Sequence, residues 1–252
     1  MRIVAASEFD NVELAAVFEA GYENYYTPIH VDEDALAYMV GAWDIDLDRS
    51  WVALEEGTPV GVTMLGVRGG EGWVGGLGVV STHRRRGVGR ALMETLLASA
   101  PPTVSLEVIE QNTPALRLYE ELGFERTRML EVWSLHAELP KAEVRTVDPA
   151  PLGQRDVPWQ RADGSLSAGG YERIEVDGGA ALIRVAGPNV SVLQLEARDE
   201  QVAAELLSAA RARGESLHYV NVPEGDAASA ALRALGGHLD LRQYEMRRAA
   251  RD

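Results

Sequence analysis

The chain has 252 residues, of which 46% are hydrophobic, a formal net charge of −15 at pH 7 and no cysteine. This length and hydrophobic content allow one large core or two small ones. The acidity argues against a general role in nucleic-acid binding, which needs a basic surface for the phosphates. The lack of cysteine excludes disulfides, thiolate metal sites and a cysteine nucleophile.

The start of the chain and its hydropathy favour a cytoplasmic protein. Glu8 follows Met1 too closely for a signal peptide. No apolar run approaches the ~20 residues that a membrane-spanning helix needs. We therefore expect a protein of the cytoplasm that does not contact a membrane.

Apolar periodicity and turn residues in the first half predict alternating strands and helices. Asn11 is the predicted N-cap of the first helix, and Gly123 the residue just beyond the end of the fourth. This order predicts an α/β mixed sheet with a ligand where two parallel central strands part. The predicted strands are 2–7, 50–54, 60–67, 73–80, 104–109 and 128–135, and the predicted helices are 12–25, 32–43, 87–99 and 114–122.

The stretch 77–93 has the composition of an anion site. An apolar strand ends at Val80, three arginines follow at 84–86, and Gly87 and Gly89 open a helix. Glycines let backbone N–H groups approach a ligand, a helix start favours an anion, and arginine fits phosphate oxygens. The spacing matches neither the P-loop nor the dinucleotide fingerprint. The stretch predicts a diphosphate cradle, and the alternative is a basic turn on a solvated helix start.

Two motifs resemble the GCN5-related N-acetyltransferase (GNAT) superfamily. The first is Arg84-x-x-Gly87-x-Gly89 after Leu77-x-Val79, which is similar to the pyrophosphate-binding loop of that family. The second is the segment 112–124, which is similar to the family pattern Asn-x-x-Ala-x-x-x-Tyr-x-x-x-Gly-Phe. The resemblance covers about residues 1–136. It implies the acyl-CoA N-acyltransferase fold, a mixed and mostly antiparallel central sheet flanked by helices.

The resemblance also implies acetyl-CoA as cosubstrate, without a metal ion, and it assigns residues to it. Strand-end backbone groups would hold the pantetheine arm and polarise the thioester carbonyl. The loop would hold the diphosphate, and the second motif would line the pantetheine and thiol end. The implied cosubstrate residues are Val79, Val80, Ser81, Arg84, Arg85, Arg86, Gly87, Val88, Gly89, Arg90, Ala91, Asn112, Ala115 and Tyr119.

Acyl transfer to an amine needs a proton donor for the thiolate and a base for the amine. Tyr119 is the candidate acid, since a phenol with a pKa near ~10 stays protonated at neutral pH. Its alternative is an ordinary core residue of an amphipathic helix. Family members often use a glutamate on the strand before the loop as the general base, but the predicted strand 73–80 has no glutamate. Glu107 is the candidate base, Glu110 and Glu71 are weaker ones, and the alternative for Glu107 is a structural pair with an arginine.

The acceptor is predicted to be a small-molecule or peptide amine, with a preference for cations. Ten acidic residues and one basic residue, Arg49, lie between Glu19 and Glu56. The alternative is a solvated acidic face. Candidate acceptor-binding residues are Tyr25, Tyr26, Trp43 and Trp73, each of which could instead fill core. The alternatives for the whole protein are a CoA-sensing module without turnover, transfer of a longer acyl group, and DNA binding through Arg84–Arg90.

The second half repeats the order of the first. Residues 138–170 contain four prolines, at 140, 149, 151 and 158, and predict a loose connection. The following strands and helices end in Leu232–Gly237, which is similar to Tyr119–Phe124 and predicts a tandem duplication. The predicted strands are 171–176, 181–185, 190–196, 216–222 and 241–246, and the predicted helices are 200–212 and 227–235.

The second copy has lost the residues of both motifs. Its loop at 198–203 has two acids and no glycine, Asn112 falls opposite Gly225, and Tyr119 falls opposite Leu232. We expect a catalytic domain at 1–137 and a degenerate GNAT-like domain at 138–252, with a structural role or one in the substrate pocket. The expected assembly is a monomer with an intrachain pseudo-dimer or a homodimer.

Overall fold

The computed structural model describes residues 1–140, 142–154, 156–166 and 169–249, and it divides the chain into two compact units. The first unit is Met1–Thr127 with Met246–Asp252, and the second is Arg128–Glu245. Within the described residues, no helix is long and apolar enough to cross a membrane.

The first unit is a mixed sheet flanked by four helices. Its strands lie in the order β1-β2-β3-β4-β5, with antiparallel neighbours except for the parallel pair β4–β5. The strands are β1 (Arg2–Ala5), β2 (Trp51–Glu55), β3 (Thr58–Arg68), β4 (Glu71–Val79) and β5 (Thr103–Ile109), and the helices are α1 (Asn11–Gly21), α2 (Glu33–Ala42), α3 (Val88–Ser99) and α4 (Thr113–Glu121).

Helix α1 differs from the sequence prediction at both ends. Its N-cap is Asp10 rather than Asn11, because the Asp10 carboxylate accepts the Glu13 N–H at 2.8 Å and the Glu13 carboxylate accepts the Asp10 N–H at 3.1 Å. This reciprocal pair satisfies two of the free donors of a helix start. The helix ends at Gly21, four residues before the predicted end, so Tyr22 and the tyrosines after it lie in the following loop.

The parallel strands β4 and β5 part at their carboxyl ends. They pair from Glu71↔Thr103 to Trp73↔Ser105. Farther along β4, the register with β3 passes from Leu65↔Val74 to Met64↔Gly76, which leaves Gly75 as the extra residue of a bulge. A bulge bends a strand and redirects the residues after it. The predicted ligand position, where two parallel central strands part, is therefore present.

The second unit repeats this arrangement, so the predicted fold class with two tandem copies is confirmed. Its sheet has the order β6-β11-β10-β9-β8-β7, and the parallel pair β10–β11 runs from Asn189↔Ser216 to Val192↔Tyr219. The strands are β6 (Glu125–Leu135), β7 (Arg145–Val147), β8 (Glu172–Val176), β9 (Gly179–Ala186), β10 (Asn189–Ala197), β11 (Ser216–Pro223) and β12 (His238–Ala249), and the helices are α5 (Glu200–Arg211) and α6 (Ala227–Ala234).

The structural division differs from the boundary that the sequence suggests at 137/138. Strand β6 pairs with β11 from Leu135↔Leu217 to Leu130↔Pro223, and its residues from Arg128 onward belong to the second unit. The residues from Met246 onward return to the first unit, where Arg247 pairs with Glu71 at 2.6 Å.

The predicted loose connection is also more ordered than expected. It contains β7 and two 3-10 turns, Trp159–Arg161 and Asp163–Leu166.

Candidate functional site

A cavity of about 510 Å³ lies in the first unit at the carboxyl end of β4. Its walls are the end of α1 with the loop after it, the last residues of β4, the start of α3 and the start of α4. Both sequence motifs contribute to these walls, the first through α3 and its loop and the second through Asn112 and Ala115.

The start of α3 presents backbone donors to this cavity. Its N-cap is Gly87, in the left-handed conformation with φ of +84°. The first intrahelical hydrogen bond runs from the Ala91 N–H to the Gly87 carbonyl at 3.0 Å, so the N–H groups before Ala91 precede the helical ladder. Val88, Gly89 and Arg90 line the cavity. Together with the helix dipole, these groups make an anion site.

Gly89 leaves free room at this helix start. A Cβ built there meets only side chains of the cavity wall, those of Val79, Leu77 and Leu118, at the ordinary contact distances of 3.7–3.8 Å. The protein itself would therefore accept an alanine. The glycine keeps the backbone approachable from the cavity.

The three consecutive arginines have three different surroundings. The Arg84 guanidinium donates to the carbonyls of Val79 at 2.9 Å, Gly21 at 3.0 Å and Glu23 at 2.8 Å. Arg86 pairs with Glu55 at 3.2 Å. Both Arg84 and Arg85 line the cavity.

These surroundings change what the arginine cluster can do. The sequence predicts all three side chains at the diphosphate, but Arg84 ties the end of α1 to β4 and Arg86 ties the loop to β2. Arg85 is the member of the triplet whose charge faces the cavity without such a tie. Arg90, which also lines the cavity, pairs with Glu121 and, at 3.7 Å, with Glu94.

The three predicted strand-end residues also separate. Val79 lines the cavity, whereas the Val80 N–H donates to the Val60 carbonyl of β3 at 3.0 Å and so points away from β5. The Ser81 hydroxyl donates to the Glu23 carboxylate at 3.0 Å. A different strand amide reaches the cavity region: the Leu77 N–H donates to the Tyr22 hydroxyl at 3.1 Å.

The sequence prediction missed Tyr22, although the glycines of β4 could have indicated it. A Cβ on Gly21 would lie 2.7 Å from the Cα of Gly78, and a Cβ on Gly76 would lie 2.7 Å from the Phe18 ring. Both distances are too short for real side chains, so the end of α1 lies with its backbone directly against β4. Glycines inside a strand often mark such a close approach.

The tyrosines after α1 also contact the second motif. The Tyr26 hydroxyl donates to the Gln111 carbonyl at 3.1 Å, and the Tyr25 hydroxyl lies beside the Asn112 side chain. Asn112 is the N-cap of α4, and its side-chain oxygen accepts the Ala115 N–H at 3.3 Å. Two candidate acceptor residues, Tyr25 and Tyr26, thus lie on the cavity wall.

The other two candidate acceptor residues lie in a separate aromatic cluster. Trp73 is 2% exposed, and its ring centroid is 5.6 Å from that of Trp43. Its indole N–H donates to the Glu107 carboxylate at 2.7 Å. Trp73 is therefore a core residue in this structure, as the alternative interpretation has it. Glu107, the candidate base, contacts this indole.

Tyr119, the candidate acid, lies on α4 and is 7% exposed. Its burial, together with the nearby hydroxyls of Tyr22 and Tyr25, raises the pKa of its phenol well above the ordinary value. The hydroxyl therefore holds its proton. Burial likewise raises the pKa of Tyr22. The two weaker base candidates have partners of their own: Glu71 pairs with Arg247, and Glu110 accepts from Gln111.

Many acids of the predicted acceptor region have structural partners. Asp32 caps α2 by accepting the Ala35 N–H at 2.8 Å. Others form ion pairs: Glu19 with His30, Asp44 with Arg68, Asp46 with Arg49, and Glu55 with His83 and Arg86. These contacts give five of the ten acids a structural partner, which weakens the charge argument for a cationic acceptor.

In the second unit, its own chain fills the matching place between β10 and β11. Arg161 is 4% exposed, donates to the Asn221 carbonyl at 2.8 Å and to the Tyr219 hydroxyl, and lies 4.6 Å from the Tyr219 ring centroid. The Gln194 amide donates to the Arg161 carbonyl at 2.8 Å and to the Asp163 carboxylate at 2.7 Å. The segment 156–166 is thus hydrogen-bonded to both strands where they part.

The helix start of the second unit is closed as well. The Asp199 carboxylate caps α5 by accepting the Val202 N–H at 2.9 Å, and Arg198 lies beside it at 3.2 Å. At the start of α5 a carboxylate therefore accepts a backbone N–H, whereas at the start of α3 the corresponding N–H groups face the cavity. Among the residues that the structure describes, no cluster of three or more potential metal ligands is found.

Comparison with known proteins agrees with this geometry. Residues 14–124 match the sequence model of the acetyltransferase (GNAT) family. A Pyrococcus horikoshii protein, provisionally assigned as an acetyltransferase, has a TM-score of 0.74 at 19% identity over 99% of this chain and 89% of its own. A GCN5-related N-acetyltransferase from Sphaerobacter thermophilus has a TM-score of 0.71 at 18% identity over 100% of this chain and 97% of its own.

A tandem GNAT protein of the clavulanic acid biosynthesis pathway is similar over both halves, with a TM-score of 0.67 at 16% identity over 100% of this chain and 99% of its own. At such identities, the likeness of solved structures shows the fold alone. The family match and the two motifs on the cavity wall place residues 14–124 in the acetyltransferase (GNAT) family.

Proposed function

We propose that the first unit transfers the acetyl group of acetyl-CoA to the nitrogen of a primary amine, in a small molecule or a peptide. The observation that carries this proposal is the cavity at the carboxyl end of β4, where the open start of α3 meets parting parallel strands. An anion site beside an edge of β4 that β5 has left suits a cosubstrate with a diphosphate and an extended, amide-containing arm.

In this proposal, the N–H groups of Val88, Gly89 and Arg90 hold the diphosphate, with Arg85 adding charge. The arm lies along the edge of β4, where Val79 lines the cavity. These contacts orient the thioester toward the acceptor, and orientation alone removes a large part of the barrier to a bimolecular reaction.

The chemistry then needs two proton movements. The amine nitrogen attacks the thioester carbonyl carbon, the C–S bond breaks, and the sulfur leaves with the bonding electrons. We assign Tyr119 as the donor that protonates this thiolate, which its raised pKa supports because the phenol stays neutral. We assign Glu107 as the base that takes the proton of the amine, directly or through a water.

Tyr25 and Tyr26 are proposed to contact the acceptor, since both lie on the cavity wall next to the second motif. Trp43 and Trp73 are left out of this role because neither is among the residues that line the cavity. The second unit is proposed to be a structural domain, because segment 156–166 and the Asp199 cap fill the two places that a cosubstrate would need.

Calorimetric titration with acetyl-CoA and an assay of thiol release with a panel of amines test this function. We expect binding at one site per chain and release of CoA that depends on both acetyl-CoA and an amine. Binding without release for any amine would contradict catalysis and favour a CoA-binding module. Faster release of CoA from a longer acyl-CoA than from acetyl-CoA would contradict acetyl as the group that is transferred.

A further inference from the structure

The Leu77 N–H lies at the edge of β4 that faces away from β3. The Val79 carbonyl, two residues farther along the same strand, accepts the Arg84 side chain. Residues two apart in a strand direct their backbone groups to the same side. The partner of the Leu77 N–H is the Tyr22 hydroxyl at 3.1 Å, and both residues line the cavity. A side chain thus takes the place of a strand on this donor.

A similar arrangement is found in the second unit, at the same distance from a bulge. Leu77 follows the extra residue of β4, Gly75, by two positions. In β10 the register is irregular between Val192 and Gln194, and the backbone of Leu195 faces the Tyr219 hydroxyl. The two tyrosines come from different parts of the fold, the loop after α1 and strand β11. Both units therefore place a phenol beside this strand-edge donor.

The two phenols differ in how they are held. The Tyr219 hydroxyl also accepts from Arg161, whose guanidinium lies over the ring. Tyr22 has aromatic neighbours instead: its ring centroid is 4.8 Å from that of Phe18 and 5.0 Å from that of Tyr25. A guanidinium holds the Tyr219 hydroxyl of the second unit, whereas a change of the Tyr22 side-chain rotamer at χ1 would free the Leu77 N–H in the first.

We propose that Tyr22 is a positioning residue that keeps the Leu77 N–H paired in the free protein, and that the thioester carbonyl oxygen of acetyl-CoA replaces its hydroxyl on binding. This inference rests on the proposed function. An arm that enters from α3 passes Val79 before Leu77, about 7 Å deeper along the strand. The acyl carbonyl is the last acceptor on that arm and so is the one that reaches the deeper donor.

The exchange predicts a change in affinity that a purely structural tyrosine would not produce. Replacing Tyr22 by phenylalanine leaves the Leu77 N–H without its acceptor in the free protein, while the complex regains one from the thioester. The free state alone loses stability, so acetyl-CoA binds about fivefold more tightly, the equivalent of about 1 kcal/mol. Free CoA has no acyl carbonyl, and its affinity stays the same.

The experiment is calorimetric titration of the full chain with acetyl-CoA and with CoA, for the wild type, Tyr22→Phe and Tyr171→Phe. We expect the ratio of the two affinities to rise about fivefold in Tyr22→Phe, as estimated from the loss of one hydrogen bond. The ratio stays unchanged in Tyr171→Phe, because this tyrosine of the second unit is not on the cavity wall. An unchanged ratio in Tyr22→Phe, or an equal gain for CoA, overturns the inference.

A wild-type measurement covers the case in which Tyr22→Phe does not fold. The amide resonance of Leu77 is expected to differ between the acetyl-CoA and CoA complexes, because the acceptor is a carbonyl in one and a phenol in the other. Identical resonances overturn the inference. Failure of the proposed function looks different, since wild-type protein would then bind neither compound.

Discussion

The Trp73 indole donates to the Glu107 carboxylate at 2.7 Å, and this bond sets the orientation of the candidate base. The tryptophan is buried on β4 and the glutamate lies on β5, so the contact joins the two strands that part at the cavity. A test of Glu107 must therefore separate its charge from its contact with the indole.

Glu107→Gln keeps an oxygen for the Trp73 N–H but removes the base. We expect kcat to fall by about 100-fold or more while the free energy of unfolding changes little. Glu107→Ala removes both, and the unpaired indole lowers the free energy of unfolding by about 1–3 kcal/mol. Steady-state kinetics and urea unfolding of the two variants provide the measurement. If the glutamine variant keeps its rate, Glu107 is a structural residue only.

Tyr119→Phe tests the proton donor. We expect kcat to fall by about 100-fold, with a smaller change in the affinity for acetyl-CoA. Because burial raises the pKa of this phenol above its ordinary value of 10.0, it stays protonated as the pH rises to that value. Between pH 8 and 10, the rates of the wild type and of the phenylalanine variant should therefore depend on pH in the same way. A descending limb in that range, absent from the variant, would argue against the raised pKa.

Arg84 and Arg85 form a matched pair of neighbours with opposite expectations. Arg84→Ala removes three bonds to carbonyls and should lower the free energy of unfolding by about 1–2 kcal/mol. Arg85→Ala should leave stability unchanged and weaken acetyl-CoA binding, with a smaller loss at high salt because the attraction is screened. Unfolding curves and titrations at two salt concentrations measure both. Equal losses of affinity without loss of stability would contradict the assignment of Arg84.

Gly89→Ala separates folding from binding at the start of α3. The added methyl meets neighbours only at 3.7–3.8 Å, and alanine favours a helix over glycine by about 1 kcal/mol, so the melting temperature should stay or rise. The methyl would occupy room that the cosubstrate needs, so acetyl-CoA affinity should fall. Gly78→Ala is the contrasting control, because its Cβ would lie 3.1 Å from the Cα of Gly21. Unchanged affinity in Gly89→Ala would contradict the cradle.

Arg161→Ala tests the filled cleft of the second unit. The change leaves the Asn221 carbonyl and the Tyr219 hydroxyl without their donor and opens a void, so we expect a loss of about 2–4 kcal/mol in unfolding free energy. Arg145→Ala, an exposed arginine of β7, should leave stability unchanged. Calorimetry should still find one acetyl-CoA site per chain in the wild type. A second site in the wild type would show that segment 156–166 does not fill the cleft.

The sequence predicted the order of strands and helices well, because local periodicity and turn residues decide it. It also placed Gly89, Asn112 and Ala115, which lie on the cavity wall. It could not give the direction of the Arg84 side chain. From the sequence, a guanidinium next to a helix start is expected to bind an anion. The carbonyls at the end of α1 come within reach of the Arg84 guanidinium only when the chain has folded.

Two further differences arise from contacts between distant parts of the chain. The Tyr22 hydroxyl reaches Leu77 across 55 residues, and the only local sign of that approach was the run of glycines in β4. Strand β6 has the same apolar pattern whether it joins the first unit or the second, so periodicity did not reveal its pairing with β11. The chemical roles of Tyr119, Glu107 and the acceptor residues stay predictions.

The return of β12 to the first unit has a consequence for synthesis on the ribosome. The residues from Met246 onward follow the whole second unit in the sequence, yet they belong to the unit that is made first. Chains grow from the amino terminus at about 5–20 residues per second, so the first unit must wait several seconds for its last strand residues. During that interval Glu71 has not met Arg247, and a nascent chain halted before residue 246 would carry an incomplete first unit.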